Sequence, residues 1–284
     1  MSAELAIVVL SYRNDETILD AVDSVLAQGG PVELVVSHSG SGEAARLLAR
    51  ERPDVRVTAS AERRLPGAAR NAGVAATRAP YVAFLSGDAR ARPGWVAGRL
   101  DRHRRGAQAV ASAIVPRGAR LPAVAGCVVT HGYRLPGIDT PVRLRYGVSY
   151  SRSSLEAHGP FPEDREIGED TAVNARLVAA GIDIELAREV VTEQAYAPTF
   201  AGLLADQFAR GRRRGRILPE RRRRAALQAL LEAPRGLRRA RRSPALDVRT
   251  HRLAPIVAAG VLARAAGVAV GGSRRAAAPS GALR

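Results

Sequence analysis

Leu5-Ala-Ile-Val-Val-Leu10 is an unbroken apolar run rich in β-branched residues, and Ser11-Tyr12-Arg13-Asn14 follows it directly. A run without polar alternation describes a strand covered on both faces, as in a parallel sheet. The unit it opens then recurs. Residues 17–28 space Ile18, Ala21, Val22, Val25 and Leu26 as a helix does, and Gly29-Gly30-Pro31 stops it. Strand 32–36, the polar turn Ser37-His38-Ser39-Gly40-Ser41-Gly42, helix 43–50 and strand 55–59 come next. A helix at 67–77, a strand at 81–85 and a helix from about Pro93 continue the alternation. This pattern predicts the α/β class: an open twisted sheet with helices on both faces and right-handed crossovers. Ligands on such sheets bind beyond the carboxyl ends of the strands.

The second half is less regular. Residues 108–115 and 144–151 read as strands, and 169–180 as an amphipathic helix ended by Gly181. Past about Thr199 the character changes: residues 210–242 carry 14 arginines against Glu220 and Glu232. The expected division is a sheet domain over 1–200 and an arginine-rich helical appendage over 201–284.

With 284 residues, 46% hydrophobic and 25% charged, the chain is long enough for one large core, and wholesale disorder or a multi-span membrane protein is a poor reading. The formal charge is +17, and every one of the 44 basic residues is arginine. Cys127 is the only cysteine, which excludes an intramolecular disulfide framework and a cysteine-based zinc site and fits a reducing compartment. Residues 1–4 run straight into the first strand without the features of an export signal, so a cytoplasmic location is expected. The apolar stretch 253–272 holds Arg264 near its centre, a residue that costs about 2.5–3.5 kcal/mol in the middle of a membrane. A peripheral or re-entrant segment is therefore expected in preference to a span.

Five blocks, in order, resemble the inverting nucleotide-sugar glycosyltransferases of family 2. They are Ser11-Tyr12-Arg13-Asn14 with residues 24–28; Gly67-Ala-Ala-Arg-Asn-Ala-Gly73; residues 84–88 with Pro93-Gly94-Trp95; Gly168-Glu169-Asp170 with residues 176–181; and residues 207–212. The resemblance covers residues 4 to about 216, and it implies the GT-A fold, a Rossmann-like open twisted sheet.

The resemblance also implies roles. Asp170 is the base that takes the proton of an acceptor hydroxyl, and Glu169 orients that acceptor. Asp88 holds Mg²⁺ or Mn²⁺ against the donor diphosphate, and carboxylate and phosphate oxygens are the ligands such hard cations prefer. The nucleotide sugar is met by Ser11, Tyr12, Arg13, Ser37, Arg70, Ser86, Gly87 and Asp88, with Tyr12 stacking on the base. The glycines at 67 and 73 allow close backbone approach.

The chain departs from the family pattern in three places. Ser37-His38 stands where an acidic pair is usual, and Ser86 where the first aspartate of the metal-binding turn is. Glu193 replaces a histidine after the last core strand and could still ligate a metal.

Other readings stay open from sequence alone. Asp88 could be a turn former, the two acids at 169–170 could serve the helix dipole, and Arg70 could simply be in a salt bridge. A catalytically weakened relative acting as a membrane-associated scaffold, or a nucleotidyltransferase on a similar sheet, remain the alternatives to a glycosyltransferase with a glycan or lipid-linked acceptor. For the appendage, an anionic membrane surface is favoured. Nucleic acid is disfavoured, because no aromatic residue follows Phe208 to stack on bases.

Overall fold

The computed structural model describes residues 2–138, 147–246 and 250–271. The chain forms two compact units, one drawn from the residues up to Arg117 together with Arg134–Ala195, the other from Gly118–Tyr133 together with the chain from Tyr196 onward.

The first unit follows the expected alternation: β1 (Leu5–Ser11), α1 (Ile18–Leu26), β2 (Val32–Ser39), α2 (Ala44–Glu51), β3 (Arg56–Ser60), α3 (Pro66–Ala75), β4 (Tyr81–Ser86), β5 (Ala89–Ala91), α4 (Trp95–Arg104) and β6 (Ala109–Pro116). After α5 (Leu121–His131), which belongs to the second unit, come β7 (Val148–Ser151), α6 (Arg152–His158), α7 (Glu169–Ala179) and β8 (Ile184–Gln194). Of the strand expected at 144–151, the part at 144–146 lies outside the described residues. The eight strands form one mixed sheet in the order β3-β2-β1-β4-β7-β6-β8-β5. β3, β2, β1 and β4 are parallel, and β7 enters antiparallel between β4 and β6.

β1 is buried on both faces, as its composition requires. Leu5, Ile7 and Val9 join Ile18, Val22, Leu48, Trp95 and Leu100 in one apolar cluster. Ala6 and Val8 join Val35, Phe84, Tyr150, Phe161 and Leu177 in another. Two strands escaped the sequence reading. β5 is only three residues long, and β8 is broken by exposed Arg188 and Glu189, where its register with β6 slips between Ser112 and Ala113. A strand that is half exposed and irregular does not show the period on which sequence reading relies.

The glycines of the 67–73 block serve packing within the chain. A Cβ at Gly73 would meet Val8 Cγ1, and one at Gly67 would meet the carbonyl oxygen of Pro162. Their bareness lets α3 lie close on β1 and on the segment before α7; neither glycine lines the cleft described below.

The second unit is helical: α5, then α8 (Phe200–Ile217), α9 (Arg222–Leu230), α10 (Glu232–Arg242) and α11 (Thr250–Val270). Thr199 caps α8 by accepting a hydrogen bond from Gly202 N at 3.1 Å. α8 and α11 touch backbone to backbone. A Cβ at Gly211 would meet Arg264 O, one at Gly215 would meet Val268 O, and one at Gly267 would meet Phe208 O. α11 is long and apolar enough to cross a membrane, with a mean hydropathy of 1.9 over its richest window. Its central Arg264 turns inward and donates to Val129 O at 3.1 Å and to Thr130 Oγ1 at 2.9 Å. Burial pulls the Arg264 pKa down to about 10, so it stays charged at neutral pH. The carbonyls of the last turn of α5 carry the negative pole of that helix and suit this charge.

Gly73→Ala should lower the unfolding free energy by about 1–3 kcal/mol, the usual cost of an extra methyl in a filled core. Urea titration measures this, and an unchanged midpoint would show that Val8 can step aside.

Candidate active site

The parallel register sets Ser11 beside His38 and Leu10 beside Ser86, so β1, β2 and β4 end together on one edge of the sheet. A cleft of about 1210 Å³ opens there, lined by residues 10–17, by Ser39–Gly42, by Arg63, Arg64 and Arg70, by Ser86 and Asp88, and by Glu166–Asp170. This is the strand-end position that an open α/β sheet offers a ligand.

The first wall is built on hydrogen bonds between strand ends. Ser11 Oγ donates to Asn14 Oδ1 at 2.9 Å and lies 2.9 Å from His38 Nδ1. Ser11 Oγ thus bridges Asn14 on its own loop and His38 on β2. His38 and Ser37 are buried, and Ser37 Oγ donates to Ala69 O at 2.8 Å. The serine and histidine that stand at the family's acidic pair therefore hold β2 to β1 and to α3, and neither lines the cleft. Gly87 does not line it either. Its carbonyl accepts from Thr17 Oγ1 at 2.8 Å, and the Asn14 amide occupies the space a Cβ would need.

Tyr12 and Arg13 do face the cleft. The guanidinium carbons of Arg13 and Arg63 stand 5.2 and 5.0 Å from the centre of the Tyr12 ring. Arg13 has φ 52°, a left-handed conformation that costs a residue with a side chain about 1–2 kcal/mol. Next to it, Asp15 Oδ1 accepts from Ala44 N at 2.8 Å and so tethers the loop to the start of α2. Arg63 and Arg64 were not singled out by sequence reading; the available signal was an arginine pair just ahead of the Pro66-Gly67 helix start. Nη1 of Arg64 is buried without a hydrogen-bond partner among the described residues, a donor that an anion in the cleft would satisfy.

Asp88 is held from two sides. Its Oδ1 accepts from Ser86 Oγ at 2.5 Å and from Gln194 Nε2 at 2.8 Å, while Oδ2 accepts no bond from the described residues. Gln194 reaches Asp88 because β8 pairs with β5 there, a long-range pairing that sequence reading did not see. Glu193, its neighbour on β8, accepts instead from Arg92 Nε at 2.8 Å and does not line the cleft. Successive side chains on a strand point to opposite faces, which separates it from Asp88. No group of three or more His, Cys, Asp or Glu side chains able to hold a metal occurs among the described residues. A one-carboxylate donor set suits a hard cation only when phosphate oxygens and water complete the shell.

The far wall is the start of α7. Gly168, at φ 84°, turns the chain into the helix and presents Glu169 and Asp170 in its first turn. Glu169 is 6% exposed and Arg70 is 4% exposed. They form an ion pair, Nε donating to Oε1 at 3.1 Å, with the guanidinium over the rings of Phe84 and Phe161 at 4.7 and 5.5 Å. Asp170 is half buried, and its Oδ1 accepts from Thr171 N at 2.7 Å and Thr171 Oγ1 at 3.4 Å. Loss of solvent raises its pKa, Arg70 opposes the rise and Glu169 adds to it.

Residues 6–123 match the family model for Glycosyl transferase family 2. This part of the chain is similar to the family 2 glycosyltransferases. Succinoglycan biosynthesis protein ExoO of Rhizobium meliloti is 41% identical over 93 residues, which cover 32% of this chain and 27% of that protein, so the match spans about a quarter of the relative's length. Among solved structures, the mannosyltransferase PcManGT of Pyrobaculum calidifontis, in complex with GDP-Man and Mn²⁺, has a TM-score of 0.54 at 21% identity over 100% of this chain and 77% of its own. TarS of S. aureus has a TM-score of 0.51 at 14% identity, covering 92% of this chain and 71% of its own. Glucosyl-3-phosphoglycerate synthase of Mycobacterium tuberculosis, in complex with Mn²⁺, UDP and phosphoglyceric acid, has a TM-score of 0.51 at 20% identity, covering 69% and 72%. At these identities the likeness establishes the fold, which is GT-A.

The raised pKa of Asp170 has a sign in stability. An acid whose folded pKa lies above its unfolded value weakens the fold when ionised. That penalty is complete above the folded pKa and vanishes below the unfolded one. Asp170→Asn should therefore melt higher than the parent domain at pH 7 and equal to it near pH 3, compared by thermal unfolding at the two pH values.

Proposed function

We propose that the protein is an inverting glycosyltransferase, moving a sugar from a nucleoside diphosphate donor to a hydroxyl of a glycan or lipid-linked acceptor. The observation that carries this reading is one cleft that holds both Asp88 and the half-buried, pKa-raised Asp170, at the carboxyl ends of the parallel strands. The relatives that bind GDP-Man or UDP together with Mn²⁺ support the donor class and a divalent cation, Mg²⁺ or Mn²⁺. The succinoglycan relative supports a role in polysaccharide biosynthesis; glycolipid biosynthesis and a place at the cytoplasmic face of the membrane are our own assignment.

In this reading Asp170 takes the proton of the acceptor hydroxyl as its oxygen attacks the anomeric carbon, and the bond from that carbon to the diphosphate oxygen breaks with inversion. A raised pKa makes Asp170 a better proton acceptor than an ordinary aspartate, and Thr171 fixes its orientation. Glu169 is committed to Arg70, so it acts by positioning that guanidinium and the first turn of α7. Tyr12, flanked by Arg13 and Arg63, offers a face to the base, and Arg64 offers its unpaired Nη1 to the leaving diphosphate. Ser11 and Ser86 shape the floor. A divalent cation on Asp88 would offset the charge of that diphosphate.

Asp170→Asn should lower kcat by about 10²–10⁴, the usual worth of a general base, while the donor dissociation constant stays unchanged. The acid limb of kcat/KM in the parent enzyme should lie above the ordinary aspartate range and be missing from the variant. A donor screen with several nucleotide sugars supplies the substrate, and near-normal turnover in the variant moves the base elsewhere.

With Asp88 as the one carboxylate of its turn, metal and donor should bind synergistically, each raising the other's affinity by the same factor. Asp88→Ala should abolish that synergy in calorimetry and Ser86→Ala should leave most of it. Equal donor affinity in EDTA and in Mn²⁺ would remove the cation from the reading and leave the charge to Arg64 and Arg70.

A further inference from the structure

The arginine-rich segment of the second unit is ordered into a face. Leu231 serves both as the C-cap of α9 and as the N-cap of α10, so the two helices follow one another across a single turn residue. Ala225, Ala229, Gly236 and Ala240 form the buried side. At Gly236 the approach is close, since a Cβ there would meet Val128 Cγ1 of α5 at 2.9 Å. Small residues on this side let the pair of helices lie flat on the rest of the unit.

The opposite side is laid out in three zones. Leu227, Leu230 and Leu231 stand in the middle, 64%, 39% and 52% exposed, at the i, i+3 and i+4 spacing of one helix face. Arg221, the N-cap of α9, and Arg223 and Arg224 precede them, and Arg238, Arg241 and Arg242 follow; all six are exposed. None of these six arginines has a carboxylate partner among the described residues. The two acids nearby do not neutralise them either: Glu232 is taken by Arg235 and Arg239, and Glu220 makes no ion pair among the described residues. Three adjacent exposed leucines between two groups of uncompensated guanidinium groups make a surface that water solvates poorly in the middle and that attracts anions at both ends.

We propose that this outer face of α9 and α10 docks on an anionic phospholipid bilayer, the leucines entering between the headgroups and the arginines pairing with lipid phosphates and acidic headgroups. The charge selects the partner. An anionic bilayer offers an apolar interior beneath a negative surface, which matches both zones at once, whereas a nucleic acid would use the arginines and leave the leucines in water. Long arginine side chains can extend to the headgroup level while the shorter leucines go deeper. This inference concerns where the protein attaches. It is independent of the donor, acceptor and base assigned above.

The test is co-sedimentation of the full chain with vesicles of phosphatidylcholine alone and of phosphatidylcholine mixed with phosphatidylglycerol. The full chain should partition onto the mixed vesicles and stay off the neutral ones, and raising salt from 0.1 to 0.5 M should weaken the attachment, because exposed charges are screened over about 10 Å at 0.1 M. Leu227→Ser/Leu230→Ser/Leu231→Ser, three changes at exposed positions, should weaken the partition at least about tenfold, each leucine contributing burial of an apolar side chain. Arg223→Gln/Arg224→Gln/Arg238→Gln should weaken it comparably and flatten the salt dependence. Circular dichroism and thermal unfolding check that both variants remain folded. Binding that survives the leucine changes and is displaced by duplex DNA would overturn the proposal in favour of nucleic acid. A leucine variant that changes only the oligomeric state in light scattering would overturn it in favour of a second copy of the chain.

Discussion

The buried ion pair between Arg70 and Glu169 is the contact on which the cleft depends. It joins residues 99 positions apart, one on α3 and one at the first turn of α7, and leaves both almost without solvent. Two charges are withdrawn from water there, a costly arrangement unless the geometry is good and the ions stay paired, and removing one partner of such a pair typically costs about 3–5 kcal/mol. The surroundings reduce the cost. The rings of Phe84 and Phe161 lie against the guanidinium, and the N-terminal pole of α7 favours the carboxylate. As long as the pair holds, α7 can start only where it does, and Asp170 is presented beside a positive charge that moderates the rise in its pKa.

The same economy of small residues runs through both units. Gly67 and Gly73 let α3 approach β1 and the Pro162 carbonyl, and thereby bring Arg70 within reach of Glu169. Gly211, Gly215 and Gly267 let α8 and α11 meet along their backbones. Close helix contact of this kind replaces side-chain interdigitation with dispersion between backbones. It suits a chain in which so many of the remaining positions are arginine, whose long side chains need room to reach solvent or a partner.

Arginine itself does several different jobs, and burial decides which. Arg99 is fully buried on the face of Trp95, with its guanidinium carbon 4.1 Å from the ring, and donates to Val110 O and Ser149 Oγ; desolvation lowers its pKa to about 9. Arg264 is held by the end of α5. Arg13, Arg63 and Arg64 line the cleft. The six exposed arginines at the start of α9 and along α10 are left to solvent or to a partner. A charge count over the whole chain treats all of these alike; only their surroundings distinguish a structural cation from an available one.

Leu5–Leu10 was decisive from sequence because a strand buried on both faces has to be apolar at every position, a local rule that holds from Leu5 to Val9 before Leu10 reaches the cleft. The alternation that follows, and the residues at the ends of β1 and β4, were legible for the same reason: a parallel sheet turns periodicity into position, and Ser11, Tyr12, Arg13, Asp88 and Asp170 all line one cleft. Three things came only from the tertiary structure. Ser37 and His38 are withdrawn from the cleft because hydrogen bonds to Ala69 and Ser11 bury them. Gln194 takes the place beside Asp88 that Glu193 was expected to share, because the alternation of β8 turns one neighbour toward Asp88 and the other toward Arg92. Glu169 is committed to Arg70 because the partner that claims it is distant in sequence. A local pattern specifies which residues can do chemistry, but hydrogen-bond partners far along the chain decide which of them are left free to do it.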